Sequence, residues 1–274
     1  MVMTMQKQTM MNRVVVVTGA ASGIGAAVCA EFGKHGARIA LIDMDEQNLE
    51  ARAQELTALD IDTFTLKCDV SVPDQCQAVV QQIVSHYGGI DVLVNNAGIT
   101  QRCAFVDAQI SMYRKVMDVN FFGALNCTVA AIESLIQRQG TIIVTSSIAG
   151  LTPVLGRTGY CASKHALHGF FSTLRAELRK HGVHVMIVCP GFTSTNLQTR
   201  ALGGEGNVTS HPQSKVGKQT SPGDVAGAIY RGVLKRKSLL VLSPVGKISY
   251  LFHKFAPGLY ERVMAKQLQG EIEG

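Results

Sequence analysis

A chain of 274 residues, 46% hydrophobic and 17% charged, is long enough for one larger α/β domain with a sizeable core. Its net charge of +6 is dispersed except at Lys235, Arg236 and Lys237, so it lacks the clustered basic face that nucleic acid requires. Seven cysteines include no C-x-x-C pair and leave one over in any disulfide scheme, which reads as a reducing compartment without a metal site. The first dozen residues lack the apolar centre of a signal peptide, and no run of eighteen apolar residues follows. A cytoplasmic protein is expected, with residues 1–11 as a disordered tail and residues 12–244 as the domain.

Val14 to Val17 forms a strand buried on both faces, followed at once by Thr18-Gly19-Ala20-Ala21-Ser22-Gly23-Ile24-Gly25 and a helix from Ala26 to Lys34. Strand, glycine-rich turn and helix present backbone N–H groups and a positive dipole end to a pyrophosphate. A tight turn without ligand is the bland alternative. The second strand, Arg38 to Ile42, ends in Asp43, whose carboxylate at a strand tip can accept from ribose hydroxyls and repel a 2′-phosphate, which points to NAD. Asp45 caps the helix from Glu46 to Ala58.

Thr63 to Lys67 is a third strand leading to Asp69-Val70, and Pro73 opens a helix to His86. A fourth strand, Asp91 to Val94, runs into Asn95-Asn96-Ala97-Gly98, a small polar turn of the kind that approaches ligands at the carboxyl ends of open sheets. Ser111 to Gln137 is helical, with Asp118 and Asn120 polar in an apolar middle. Thr141 to Thr145 is a fifth strand, ending at Ser146 and Ser147.

A helix from Thr158 to Lys180 then places Tyr160 and Lys164 four apart on one face. An ammonium near a phenol in a dry site favours the phenolate, and a pKa lowered by about two or three from its free value of about 10 would approach neutrality. A Tyr/Lys pair at this spacing is by itself usually a solvated helix face, and the surrounding motifs are what set this one apart. Val183 to Val188 is the sixth strand, followed by Pro190-Gly191-Phe192-Thr193-Ser194-Thr195. Alternating strands and helices give a Rossmann-like, doubly wound parallel sheet of about seven strands, helices on both faces.

Together these motifs, across residues 12–242, resemble the short-chain dehydrogenases/reductases. The resemblance implies an NAD-dependent oxidoreductase acting on CH–OH groups, with Asn120, Ser147, Tyr160 and Lys164 as the catalytic set. Tyr160 would be the general acid/base, and Lys164 would lower its pKa and hold the nicotinamide ribose. Ser147, thirteen residues before Tyr160, would polarise the carbonyl, and Asn120 would position the helix backbone and a water. The cofactor loop would use Gly19, Ser22, Gly23, Ile24 and Gly25, with Asp43 at the ribose and Asp69 and Val70 at the adenine. Asn96, Ala97 and Gly98, then Pro190, Gly191, Thr193 and Thr195, would complete the cofactor contacts with Tyr160 and Lys164. Thr193 stands where the family often has an apolar residue. A homodimer or homotetramer is implied, paired through the helices at 111–137 and 158–180.

Substrate recognition falls to residues 196–221, read as a lid, and to Ser147, Ile148, Leu151, Pro153, Val154, Leu155, Tyr160 and Phe192, with Gln101 and Arg102 at the rim. These mostly apolar side chains suit a hydrophobic secondary alcohol or ketone, lipid-like rather than a sugar phosphate. Pro222 to Lys235 is a helix and Ser238 to Leu242 the last strand; residues 245–274 form a basic amphipathic helical extension broken at Pro257-Gly258. Such an extension packs on the domain, on a second subunit or on a membrane surface. The competing reading of the whole chain is a catalytically silent dinucleotide-binding regulatory protein.

Overall fold

The computed structural model describes residues 10–211 and 219–272. Val14–Thr18 (β1) is buried throughout, as an all-valine run must be when it is covered on both faces. Around it lie Arg38–Asp43 (β2), Thr63–Lys67 (β3), Val92–Asn95 (β4), Thr141–Thr145 (β5), His184–Cys189 (β6) and Leu239–Val241 (β7). Every neighbouring pair is parallel, in the order β3-β2-β1-β4-β5-β6-β7.

Strand periodicity divides the interior in two. Val15 and Val17 face the layer of Gly23–Gly33 (α1), Glu46–Thr57 (α2) and Pro222–Leu234 (α7), where Phe32, Leu49 and Val225 are buried. Val14 and Val16 face Pro73–Tyr87 (α3), Gly123–Gln137 (α5) and Thr158–Leu178 (α6), against Ile83, Ala131 and Phe171. The chain leaves β1 towards β2 and later returns to β4 on its other side, so a crevice opens at the carboxyl ends of β1 and β4.

The helix expected as one piece over 111–137 is Ile110–Met117 (α4), a π-helical turn at Asp118–Phe122, and α5. The run Ile110–Gln137 is long and apolar enough to cross a bilayer, yet here it packs within the fold, with Met112, Val116, Cys127 and Leu135 buried. Met10, expected within the tail, is part of the packed domain: its N–H donates to the His35 carbonyl at 3.0 Å and its side chain is buried. Residues 1–9 lie outside the described residues.

The segment expected as a lid is stitched down over its first part. Leu202 bridges Gln101 and Val208, its N–H donates to the Thr100 carbonyl at 2.8 Å, and its carbonyl accepts from the Arg102 N–H at 2.8 Å. Residues 212–218 of that segment lie outside the described residues. Ser243 caps Pro244–Phe255 (α8) by accepting from the Gly246 N–H at 2.9 Å, and after Ala256 the chain turns into Pro257–Leu268 (α9), as Pro257-Gly258 requires.

Candidate active site

The glycine-rich turn is specified by sterics. Gly19 has φ +67°, and a Cβ there would stand 2.9 Å from the Ala97 Cα; at Gly25 it would stand 2.1 Å from the Gly19 carbonyl oxygen. Ser22 leaves α1 without a side-chain cap and no acidic residue occupies the first turn, so the positive end of the helix faces the crevice. Thr18 fastens the next loop: its Oγ1 accepts from the N–H groups of Asn96 and Ala97, both at 3.0 Å. Asn96 answers by donating Nδ2 to the Thr18 carbonyl at 3.1 Å.

Asp43 sits at the tip of β2 with one carboxylate oxygen accepting from the Ala21 N–H at 3.0 Å and the other from the Asp45 N–H at 3.1 Å. The carboxylate is thus locked to the glycine turn and faces the cleft. Asp69 accepts from the Ser71 N–H and hydroxyl at 2.9 and 2.7 Å and lines the same cleft beside Val70.

Tyr160 and Lys164, on adjacent turns of α6, are both buried. The Lys164 Nζ lies 5.6 Å from the centre of the Tyr160 ring and donates to the Thr145 carbonyl at 2.8 Å. Burial pushes the Tyr160 phenol up to about 12, opposed by a hydrogen bond with Ser147, and burial pulls the Lys164 ammonium down to about 8. The downward shift of the phenol expected from Lys164 is not found in the protein alone: burial disfavours the charged form of each group and is the largest cause of both shifts.

Of the two serines, Ser147 hydrogen-bonds the Tyr160 phenol, whereas the Ser146 hydroxyl donates to the Lys164 carbonyl at 3.2 Å. Asn120, in the π-helical turn, clasps Ile99 on both sides: Oδ1 accepts from its N–H at 2.8 Å and Nδ2 donates to its carbonyl at 2.9 Å. Nδ2 also donates to the Ser163 hydroxyl at 2.9 Å. These bonds tie the turn at Ile99 to α6 through the Asn120 side chain. A Cβ at Gly98 would stand 3.2 Å from Asn120 Oδ1, a tight contact, and 3.5 Å from Lys164 Nζ, so that turn packs close against both groups.

One continuous cleft of about 1390 Å³ joins these parts. It is lined by Gly19, Ser22, Gly23, Ile24, Asn96, Ala97 and Gly98 at one end and by Ser147, Ile148, Tyr160 and Lys164 further along. Pro190, Gly191, Phe192, Thr193 and Thr195 close one side. Gly25 and Asn120 stand behind this lining. The volume exceeds what a single drug-sized ligand needs, about 300–1,000 Å³, and the glycine cradle and free helix end as donors, with the strand-tip carboxylate as acceptor, suit a dinucleotide in chemistry and shape.

Several expected substrate contacts lie elsewhere. Leu155 is turned to α9, its N–H donating to the Met264 sulfur at 3.2 Å, and Val154 takes the lining position. Gln101 is buried rather than at the rim, for a structural reason: Arg157, the residue before α6, provides no side-chain cap for it. Gln101 Oε1 accepts from the Tyr160 N–H at 2.7 Å and Nε2 donates to the Thr158 hydroxyl at 3.2 Å, so a distant amide caps α6. Arg102 is likewise buried.

The far wall of the cleft comes from α8 and α9, through Phe252, Tyr260, Met264 and Leu268. Arg157, three residues before Tyr160, forms a buried ion pair with Glu271 just beyond α9. Helical spacing shows that α8 and α9 are amphipathic, but no local signal says which surface they cover.

The family model for the short chain dehydrogenases matches residues 13–205. The chain belongs to the short-chain dehydrogenase/reductase family of oxidoreductases. Similar relatives include the cattle dehydrogenase/reductase SDR family member 7B, 35% identical over 95% of this chain and 82% of its own length. A Drosophila melanogaster SDR family protein 7-like is 33% identical over 93% of this chain and 80% of its own length. Among solved structures, a short-chain dehydrogenase/reductase from Burkholderia phymatum in complex with NAD superposes with a TM-score of 0.81 at 23% identity, covering 90% of this chain and 94% of that one. An alcohol dehydrogenase from Thermococcus sibiricus, complexed with 5-hydroxy-NADP, gives 0.73 at 25% identity over 84% of this chain and 95% of that one.

Proposed function

We propose that this short-chain dehydrogenase/reductase transfers a hydride between NAD(H) and an apolar, lipid-like secondary alcohol or ketone, with Tyr160 as general acid/base. The observation that carries the reading is the convergence of the Tyr160 phenol, the Ser147 hydroxyl and the Lys164 ammonium on the cleft that also holds the glycine cradle. When bound, the dinucleotide supplies the hydride carrier. Ser147 orients the substrate oxygen, and Tyr160 gives its proton to that oxygen in reduction or takes it in oxidation. A phenol pushed up to about 12 is protonated at neutral pH, the form a proton donor needs for ketone reduction. Lys164, anchored at Thr145, stabilises the phenolate left behind. The apolar wall of Ile148, Phe192, Phe252 and Met264 excludes water and selects a hydrocarbon substrate.

NAD is favoured by the Asp43 carboxylate, held in the cleft where it repels a 2′-phosphate. NADP is the second reading, and Arg200 favours it, because its guanidinium stands 4.0 Å from Asp45 and lines the same end of the cleft. Asp43→Ala is expected to lower the NAD over NADP preference and Arg200→Ala to raise it; an unchanged ratio in the first variant removes Asp43 from cofactor choice. Exposed Phe122, Val129 and Phe170 support pairing of copies through α5, the turn before it and α6.

A series of secondary alcohols and ketones of increasing chain length, followed by the absorbance of the reduced nicotinamide, tests the reaction. Rates are expected to rise with apolar length. Dinucleotide binding with no turnover across the series would instead favour the silent regulatory protein.

A further inference from the structure

The helix pair that walls the cleft turns an unusual surface to solvent. On α8, Ile248, Leu251 and Phe255 recur at helical spacing and stay exposed, Ile248 at 66% and Phe255 at 77%. On α9, Leu259 and Val263 repeat the pattern, also exposed. The opposite flanks of the same helices hold Phe252, Tyr260, Met264 and Leu268 in the cleft, so each helix is apolar on two sides, and only one of them is covered. Exposed apolar stripes of this kind on a folded protein mark a contact surface.

The charges beside the stripes identify the partner. Lys247 and Lys254 flank the α8 stripe, Arg262 and Lys266 the α9 stripe, and among the described residues 244–272 the one exposed carboxylate is Glu261, because Glu271 is buried with Arg157. A second copy docked symmetrically on this surface would bring cations against cations. An anionic bilayer satisfies both features, taking the apolar side chains at its interface and the ammonium and guanidinium groups at its headgroups. Val245 and Val263 are exposed and also line the cleft, so the surface runs up to the cleft's edge.

We propose that α8 and α9 dock this protein on the surface of an anionic lipid bilayer, with the edge of the cleft towards the lipid. The surface is independent of the chemistry in the cleft, and its test reads no turnover.

The full chain is sedimented with vesicles of phosphatidylcholine alone and of phosphatidylcholine doped with phosphatidylserine, at low and high salt. Expected is co-sedimentation with the doped vesicles alone, reversed by salt. Each cation lost, as in Lys254→Glu or Arg262→Glu, should weaken that binding about five-fold or more, and Leu251→Asp with Phe255→Asp should abolish it. Unchanged dinucleotide titration in these variants, whose side chains lie outside the cleft lining, shows that they are folded. The proposal is overturned if the chain stays in the supernatant while the doped vesicles sediment, or if the variants sediment as the parent does. It is equally overturned if the apolar variants dissociate a self-assembled species that shows no affinity for vesicles.

Discussion

The two ends of the cleft are built by different means. At the dinucleotide end, almost every contact is made by backbone or by residues within one short motif: the Gly19 to Gly25 turn, the Asn96 to Gly98 turn and Asp43 at its strand tip. At the substrate end, the contacts join segments more than a hundred residues apart. Leu155 meets Met264, the Pro153 carbonyl meets Tyr260, and Arg157 meets Glu271. The first end is a socket specified locally; the second is a wall closed by α8 and α9.

The sharpest way to break the dinucleotide end is Gly25→Val. No rearrangement short of opening the turn accommodates a Cβ 2.1 Å from the Gly19 carbonyl oxygen, and the second close neighbour is the Asn96 amide at 2.7 Å. Dinucleotide affinity measured by fluorescence titration should fall at least a hundred-fold, equivalent to about 3 kcal/mol, with a lower Tm.

Glu271→Ala is the matching break at the substrate end. It leaves the Arg157 guanidinium buried without its carboxylate, a change that costs about 3–5 kcal/mol when nothing compensates. Denaturant unfolding should show that loss, and KM for an apolar substrate should rise while the Kd for dinucleotide stays near the parent value. Equal loss at both ends would show that the two are not separable.

Gln101→Leu probes the joint between them. It strips the cap from the Tyr160 N–H, leaving a buried donor unpaired at about 1–3 kcal/mol, and kcat should fall roughly ten-fold as the helix start loosens. Gln101→Glu, which keeps the acceptor, should recover most of kcat.

These contrasts explain what can be read from the chain. The parallel sheet, the glycine cradle and the Tyr160/Lys164 pairing follow from contiguous patterns, namely all-valine burial, glycine spacing and a four-residue helical repeat, whereas Ser147 is singled out by the family resemblance and the strand order by the structure. Gln101 lies in the interior and not at the rim because it caps a helix from 59 positions away, and such a cap leaves no local signal. The placement of Leu155 and of the α8–α9 wall is likewise settled by tertiary packing. The direction of the Tyr160 shift turns on how deeply the pair is buried, which spacing does not encode.

The smallest effects concern protons. With Lys164 held near 8 against a free value of about 10.5, the unfolded chain binds more protons between those limits, so this group's contribution makes stability rise with pH there. His168, lowered to about 4 mainly by burial, does the same between about 4 and 6.5, so acid destabilises the fold through it. In His168→Gln the decline of Tm across that acid window should be shallower.

The central claim is that the Tyr160 hydroxyl moves the proton that accompanies the hydride. Tyr160→Phe, which keeps the ring and removes that hydroxyl, is to be assayed by single-turnover reduced-nicotinamide absorbance alongside dinucleotide titration. Binding should match the parent, with hydride transfer lower by about 10²–10⁴-fold; transfer at the parental rate with binding intact would contradict the assignment.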